Sequence, residues 1–140
     1  MADVAAAKRR DDLGSPTLEQ LACADFLGRG ELDRHLRRTR LLYRRRRDAL
    51  VAALRAHLPG ARIHGVAAGL HLMVALGGRA DEAAILAEAA RRSVGVYPVA
   101  AHRARPRAVP AALLLGYGAV PEADIDEGVR RLAAAVRAAR

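Results

Sequence analysis

Between Glu31 and His57 the chain carries one apolar stripe at helical spacing, and no other feature limits the possible folds as strongly. Leu32, Leu36, Thr39, Tyr43, Leu50 and Leu54 follow one another in steps of four, three, four, seven and four, which keeps them on one face of an α-helix. The single gap is filled by Arg46 or Arg47, whose stems can cover apolar surface while their charged heads reach outward. Leu58-Pro59-Gly60 stops the helix. About 27 residues at 1.5 Å each make a rod of roughly 40 Å. A 140-residue globule needs no internal rod of that length. The helix is expected to bridge two bodies.

The segments around it set the fold class. Residues Ala2 to Leu13 read as a helix ended by Gly14. Ser15-Pro16-Thr17-Leu18-Glu19 opens a second helix, with Ser15 as its cap and Pro16 at its first position. Leu18, Leu21, Ala22 and Phe26 are its expected buried stripe, Asp25 points outward, and Gly28 and Gly30 end it. Beyond the long helix, Ala61–Val66 and Leu70–Leu76 read as an antiparallel hairpin turned by Ala67, Ala68 and Gly69. Gly77-Gly78 breaks the chain before a helix from about Asp81 to Arg92, with Ala84, Leu86 and Ala87 inside. A strand at Val94–Pro98, a basic loop from Ala100 to Pro110, and a strand at Leu113–Gly118 follow. Pro121-Glu122 opens a last helix on the stripe Ile125, Val129, Leu132 and Val136. Three helices and then ββαββα predict an α+β fold: a long linker helix plus a small, mainly antiparallel sheet with helices on one face.

Composition narrows the function. Hydrophobic residues make up 52% of the chain but aromatics only 3%, so burial rests on Leu, Val, Ile and Ala. A fully buried Leu or Val is worth about 1.5–3 kcal/mol and Ala much less, which predicts marginal stability alone and a docking surface for another domain. The net charge is +9, and Lys8 is the single lysine among 24 basic residues. One cysteine, Cys23, excludes an internal disulfide and any multi-cysteine metal site; its apolar setting predicts a small buried side chain. No apolar run is long enough for a membrane span, and a cytoplasmic location with no membrane partner is expected.

Several strings, in order, carry a resemblance: Gly14-Ser15-Pro16-Thr17-Leu18-Glu19-Gln20, Leu32-Asp33-Arg34-His35-Leu36-Arg37-Arg38 and Tyr43-Arg44-Arg45-Arg46-Arg47-Asp48-Ala49-Leu50. Ala68-Gly69-Leu70-His71-Leu72, Gly95-Val96-Tyr97-Pro98 and Leu115-Gly116-Tyr117 continue it. Together they resemble the C-terminal end of MocR-type regulators, the GabR/PdxR group of the GntR family. Those proteins join a winged helix-turn-helix to a fold-type I aminotransferase-like domain that depends on pyridoxal 5'-phosphate (PLP). The resemblance implies that residues 1–30 end the large domain, 31–58 form the linker helix, and 59–140 form the small domain. It implies a truncated chain that is not catalytic by itself, with no cofactor of its own. PLP belongs to the full-length family. The implied partners are a large PLP-binding domain encoded elsewhere and DNA, the latter only through a winged helix; a homodimer is possible.

The resemblance assigns no catalytic and no cofactor-binding residue here. Lys8 sits in Ala5-Ala6-Ala7-Lys8-Arg9-Arg10, unlike the serine-preceded loop of the family's Schiff-base lysine, and reads as a solvated surface residue. In many such aminotransferases a small-domain arginine clamps the substrate carboxylate from a strand like Ile-Arg-Leu-Ser-Phe. Leu114 falls at that position here. Arg103, Arg105 and Arg107 in the basic loop are the candidate contacts to an anionic substrate or effector; the same three also read as an exposed, solvated loop. His64, His71 and His102 lack an acidic or cysteine cluster at ligand spacing, so no metal site is assigned. An alternative function is a free-standing basic adaptor that binds nucleic acid through Arg44–Arg47. Against it, the nine arginines between Glu31 and His57 go round the helix, and no aromatics are there for base stacking.

Overall fold

A computed structural model describes residues 2–12, 16–65, 69–77, 81–102 and 111–139. Five helices run Ala2–Asp12 (α1), Thr17–Gly28 (α2), Glu31–His57 (α3), Glu82–Arg91 (α4) and Ile125–Ala138 (α5). Four strands run Arg62–His64 (β1), His71–Ala75 (β2), Tyr97–Pro98 (β3) and Ala112–Gly116 (β4). The chain divides into two compact units, Met1–Arg40 and Leu41–Arg140, so the division falls inside α3.

The second unit holds the core. Its sheet has the order β1-β2-β4-β3, and every neighbouring pair is antiparallel. The strand that follows α4 takes the edge, and β4 returns to the centre beside β2. Side chains alternate across a strand, so Leu72 and Val74 of β2 share a face with their cross-strand partners Leu115 and Leu113. That face joins Leu50 and Leu54 of α3, Ile85 and Ala89 of α4, and Val129, Leu132 and Val136 of α5 in one buried cluster. The helices that make this core thus lie on one face of a small antiparallel sheet, the expected α+β arrangement. The α5 stripe is buried as its spacing predicts. On α3 the stripe positions of this unit deepen from half-buried Tyr43 to buried Leu50 and Leu54, and both arginines at the gap, Arg46 and Arg47, are half-buried.

Local chemistry explains the boundaries. Gly30, at φ +70°, takes the left-handed turn between α2 and α3, where its N–H bonds the Leu27 carbonyl at 3.0 Å. Asp81 caps α4 by accepting from the Ala83 N–H at 2.9 Å. Ser93 closes α4 in the same left-handed region, at φ +58°, with its own N–H bonded to the Ala90 carbonyl and that of Val94 to the Ala89 carbonyl.

Four expectations need correction. The α2 stripe is not buried: Leu18, Leu21 and Phe26 are 78%, 64% and 44% exposed, and Ala22 is exposed as well. Among the described residues of 1–40 none is buried, and α2 sets its apolar residues round the helix instead of along one face. Cys23 is exposed for the same reason. Pro16 precedes the first residue of α2 instead of occupying it, and offers no side-chain cap. On α4 the buried residues are Ile85 and Ala89; Ala84 and Leu86 are half-buried and Ala87 is exposed, a face rotated by one residue from the expected one. The expected cap Ser15, the stop Gly14 and the turn residues Ala67 and Ala68 lie outside the described residues.

Candidate functional site

The second face of the sheet gathers the residues that the sequence brought forward. Register places His64 opposite Met73, Met73 opposite Leu114, and Leu114 opposite Tyr97. Directly opposed residues share a face, so these four form one row across all four strands. His64 and Tyr97 at its ends are exposed, Tyr97 by 63%; Met73 and Leu114 in the middle are half-buried. One step along, the His71 ring covers Gly116, where a Cβ would stand 3.4 Å from the ring. The row carries a phenol, an imidazole and a thioether, but no carboxylate and no cation of fixed charge. Leu114, at the centre, leaves it without a group that could grip an anion. Among the described residues no cluster of three or more His, Cys, Asp or Glu could hold a metal ion.

Two connections hold this face. The Tyr117 hydroxyl donates to the Gly69 carbonyl at 2.7 Å, and the Tyr117 N–H donates to the Leu70 carbonyl at 3.0 Å. Gly69 stands at φ +83°, a conformation that glycine adopts without strain. Beside it, Arg46 donates to the Gly118 carbonyl. One corner therefore ties α3, the start of β2 and the end of β4. The other connection is the Glu82 carboxylate, which accepts from the Ala100 N–H at 3.2 Å and the Ala112 N–H at 2.9 Å. It holds both ends of the segment that carries Arg103, Arg105 and Arg107. Those three arginines themselves lie outside the described residues.

The arginine run on α3 is split. Arg44 and Arg45 are exposed, whereas Arg46 and Arg47 are half-buried, so the run does not present four exposed heads. A basic groove lies elsewhere, between the end of α4 and α5, and is lined by Arg91, Arg92, Arg130 and Arg131. Sequence reading missed both this groove and Glu82. Arg91-Arg92 and Arg130-Arg131 are visible as pairs in the chain, but only the packing of α4 on α5 brings them together. Glu82 bonds backbone groups 18 and 30 residues away, and backbone groups carry no sequence signal.

No protein-family model matches the chain. The HTH-type transcriptional regulator YhdI of Bacillus subtilis is 36% identical over 114 residues, which is 81% of this chain and 24% of that protein. A second regulator of the same organism, YdeL, is 32% identical over 120 residues, 83% of this chain and 25% of that protein. The chain spans about a quarter of the length of the curated relatives it matches. Among solved structures, the kynurenine aminotransferase of Pyrococcus horikoshii superposes with a TM-score of 0.85 at 29% identity, over 94% of this chain and 33% of that one. The multiple substrate aminotransferase of Thermococcus profundus gives 0.82 at 30% identity, with the same coverage. The chain is thus similar both to part of HTH-type transcriptional regulators and to part of aminotransferase chains, the combination that MocR-type regulators join in one protein.

For a MocR-type domain the decisive question is whether PLP fits the residues present. It does not fit the described residues of this chain. Lys8, the single lysine, is on the exposed helix α1, and the row on the sheet offers neither an amine for a Schiff base nor a carboxylate for a pyridine nitrogen. The sheet offers a half-apolar face, tied at one corner by Tyr117 and at another by Glu82. No helix among the described residues is long and apolar enough to cross a membrane.

Proposed function

We propose that the chain acts as the small-domain wall of a MocR-type regulator's effector pocket, with the cofactor and the DNA-binding element supplied by a larger partner part in the cytoplasm. The observation that carries this reading is a single contrast within the chain. Residues 41–140 bury a continuous core, whereas the described residues of 1–40 bury nothing and expose Leu18, Leu21, Phe26 and Leu27. A segment with that much apolar surface and no core of its own is suited to finishing someone else's. In this reading residues 1–30 end the large domain, 31–58 link it to the small one, and 59–140 form the small domain.

PLP is then held by the large part, and this chain closes over it without contributing a covalent bond. Arg103, Arg105 and Arg107 are the residues we assign to an anionic effector, because the sheet itself, with Leu114, has no carboxylate clamp. Glu82 supports that assignment, since it ties Ala100 and Ala112, which flank the three arginines in the chain.

A chimera tests the reading. The part of YhdI that this chain matches is replaced by it, and PLP uptake is followed by aldimine absorbance and borohydride trapping. The expected result is a chimera that takes up PLP as its parent does, and a 140-residue chain alone that does not. A parent that binds PLP beside a chimera that does not, or a trapped adduct at Lys8, would overturn it. In the same chimera R103Q/R105Q/R107Q is expected to weaken binding of free aspartate as an anionic probe. Unchanged affinity would remove the three arginines from the pocket.

A further inference from the structure

The groove between α4 and α5 gathers four arginines and two carboxylates from two helices. Arg91 and Arg92 end α4, and both bond the Glu88 carboxylate. Arg130 and Arg131 lie on α5, and both bond the Glu127 carboxylate, Arg130 through two N–H groups at 2.6 and 2.7 Å and Arg131 through one at 2.7 Å. Arg131 also reaches the Arg92 carbonyl at 3.5 Å, which links the two sets. Four guanidinium groups face two carboxylates, so a double positive charge is left over. Each guanidinium has five N–H donors, and the bonds above engage fewer than half of them. The carboxylates do not cancel the arginines.

We infer that this groove is a docking surface for the phosphodiester backbone of duplex DNA. Arginine forks match phosphate oxygens bidentately. The groove is open and lined otherwise by Ser93 and Ala134 alone, which suits a passing backbone better than an enclosed small anion. It contains no aromatic side chain on which an unpaired base could stack, so a duplex is favoured over a single strand. This assigns the polyanion contact to α4 and α5 instead of the arginine run on α3, two of whose members are half-buried. The choice of DNA rests on the regulator reading above. Its readout is separate, since DNA binding by this chain and PLP uptake by the chimera can each fail alone.

The test is fluorescence anisotropy of the 140-residue chain with a 20-base-pair duplex of arbitrary sequence, titrated over a range of salt. Each phosphate contact contributes about 0.9 to the slope of log affinity against log salt, so R91Q/R130Q/R131Q is expected to lower that slope by about 2–3 and weaken low-salt binding roughly tenfold or more. R37Q/R44Q/R45Q on α3 removes the same charge from exposed positions and is expected to change the slope by less than about one. Removing the two acids, as E88Q/E127Q, is expected to tighten binding. Equal losses in the two triple variants would overturn the assignment to the groove. A polyglutamate peptide that outcompetes the duplex would overturn the choice of DNA. If R91Q/R130Q/R131Q fails to fold by circular dichroism, E88Q/E127Q decides: tighter binding supports the groove, and unchanged or weaker binding refutes it.

Discussion

Leu54 and Leu113 are both fully enclosed, one on α3 and one on the central strand β4, while Leu18 on α2 is 78% exposed. The same residue type therefore has different worth along this chain. L54A or L113A is expected to cost about 2–5 kcal/mol in urea unfolding, from lost transfer energy and the cavity left behind. L18A should stay within about 0.5 kcal/mol of the parent. Ser93 marks a different cost, since an L-residue in the left-handed region is strained; S93G is expected to stabilise the chain by about 1 kcal/mol. Glu127 reports on charge. Hydrogen bonds from Arg130 and then Arg131 pull its pKa from 4.5 down to about 2. A lowered carboxylate pKa means that the stabilising pairing is fully present above the unfolded value and fades as pH falls through the folded one. The affected window is thus about pH 4.5 down to about 2, and it is small in energy because the group is solvated. Carbon-detected NMR of the Glu127 carboxyl should give a midpoint near 2; R130Q/R131Q should bring it back toward the ordinary glutamate range.

At the scale of elements, helices with similar apolar content have opposite fates. α5 has Ile125, Val129, Leu132 and Val136 in one stripe and buries them all; α2 has Leu18, Leu21 and Phe26 and buries none. Amide exchange should separate them: α5 amides are expected to open only with global unfolding, and α2 amides orders of magnitude sooner. Slow exchange throughout α2 in the isolated chain would contradict its lack of a core. The Tyr117 connection beside the sheet can be tested directly. Y117F removes one hydrogen bond to the Gly69 carbonyl and is expected to cost about 0.5–1.5 kcal/mol, with faster exchange at the start of β2. Helix existence was legible from periodicity, because a stripe at 3.6-residue spacing is local information. Which stripe is covered was legible only in part: α5 segregates its apolar residues on one face, whereas those of α2 go round the helix, and what stands opposite each lies outside any local pattern.

For the molecule as a whole, the division at Arg40 and Leu41 coincides with a change in what the chain can do by itself. Residues 41–140 have a core made almost wholly of Leu, Val, Ile and Ala, with Tyr117 as its one buried aromatic residue. A chain cut to residues 41–140 is expected to keep a cooperative unfolding transition and to aggregate less than the full 140 residues, since it lacks Leu18, Leu21, Phe26 and Leu27. Light scattering beside thermal unfolding of both forms checks this. The candidate site was legible only in part. Tyr97, Leu114, His64 and His71 stood out as residues, but their alignment on one face depends on register between residues as distant in the chain as Met73 and Leu114.

Spacing and chain chemistry alone settled the order of helices and strands, the length of α3, and the stripe of α5, since each follows from interactions within a few residues. The resemblance to MocR-type regulators was also present in the string order. Packing decided the rest. It exposed α2 and Cys23, rotated the buried face of α4 to Ile85 and Ala89, sank Arg46 and Arg47 beside the core, and gathered four arginines from two helices into one groove. Each of these depends on which surface lies opposite a residue, a relation between distant parts of the chain that no local pattern encodes.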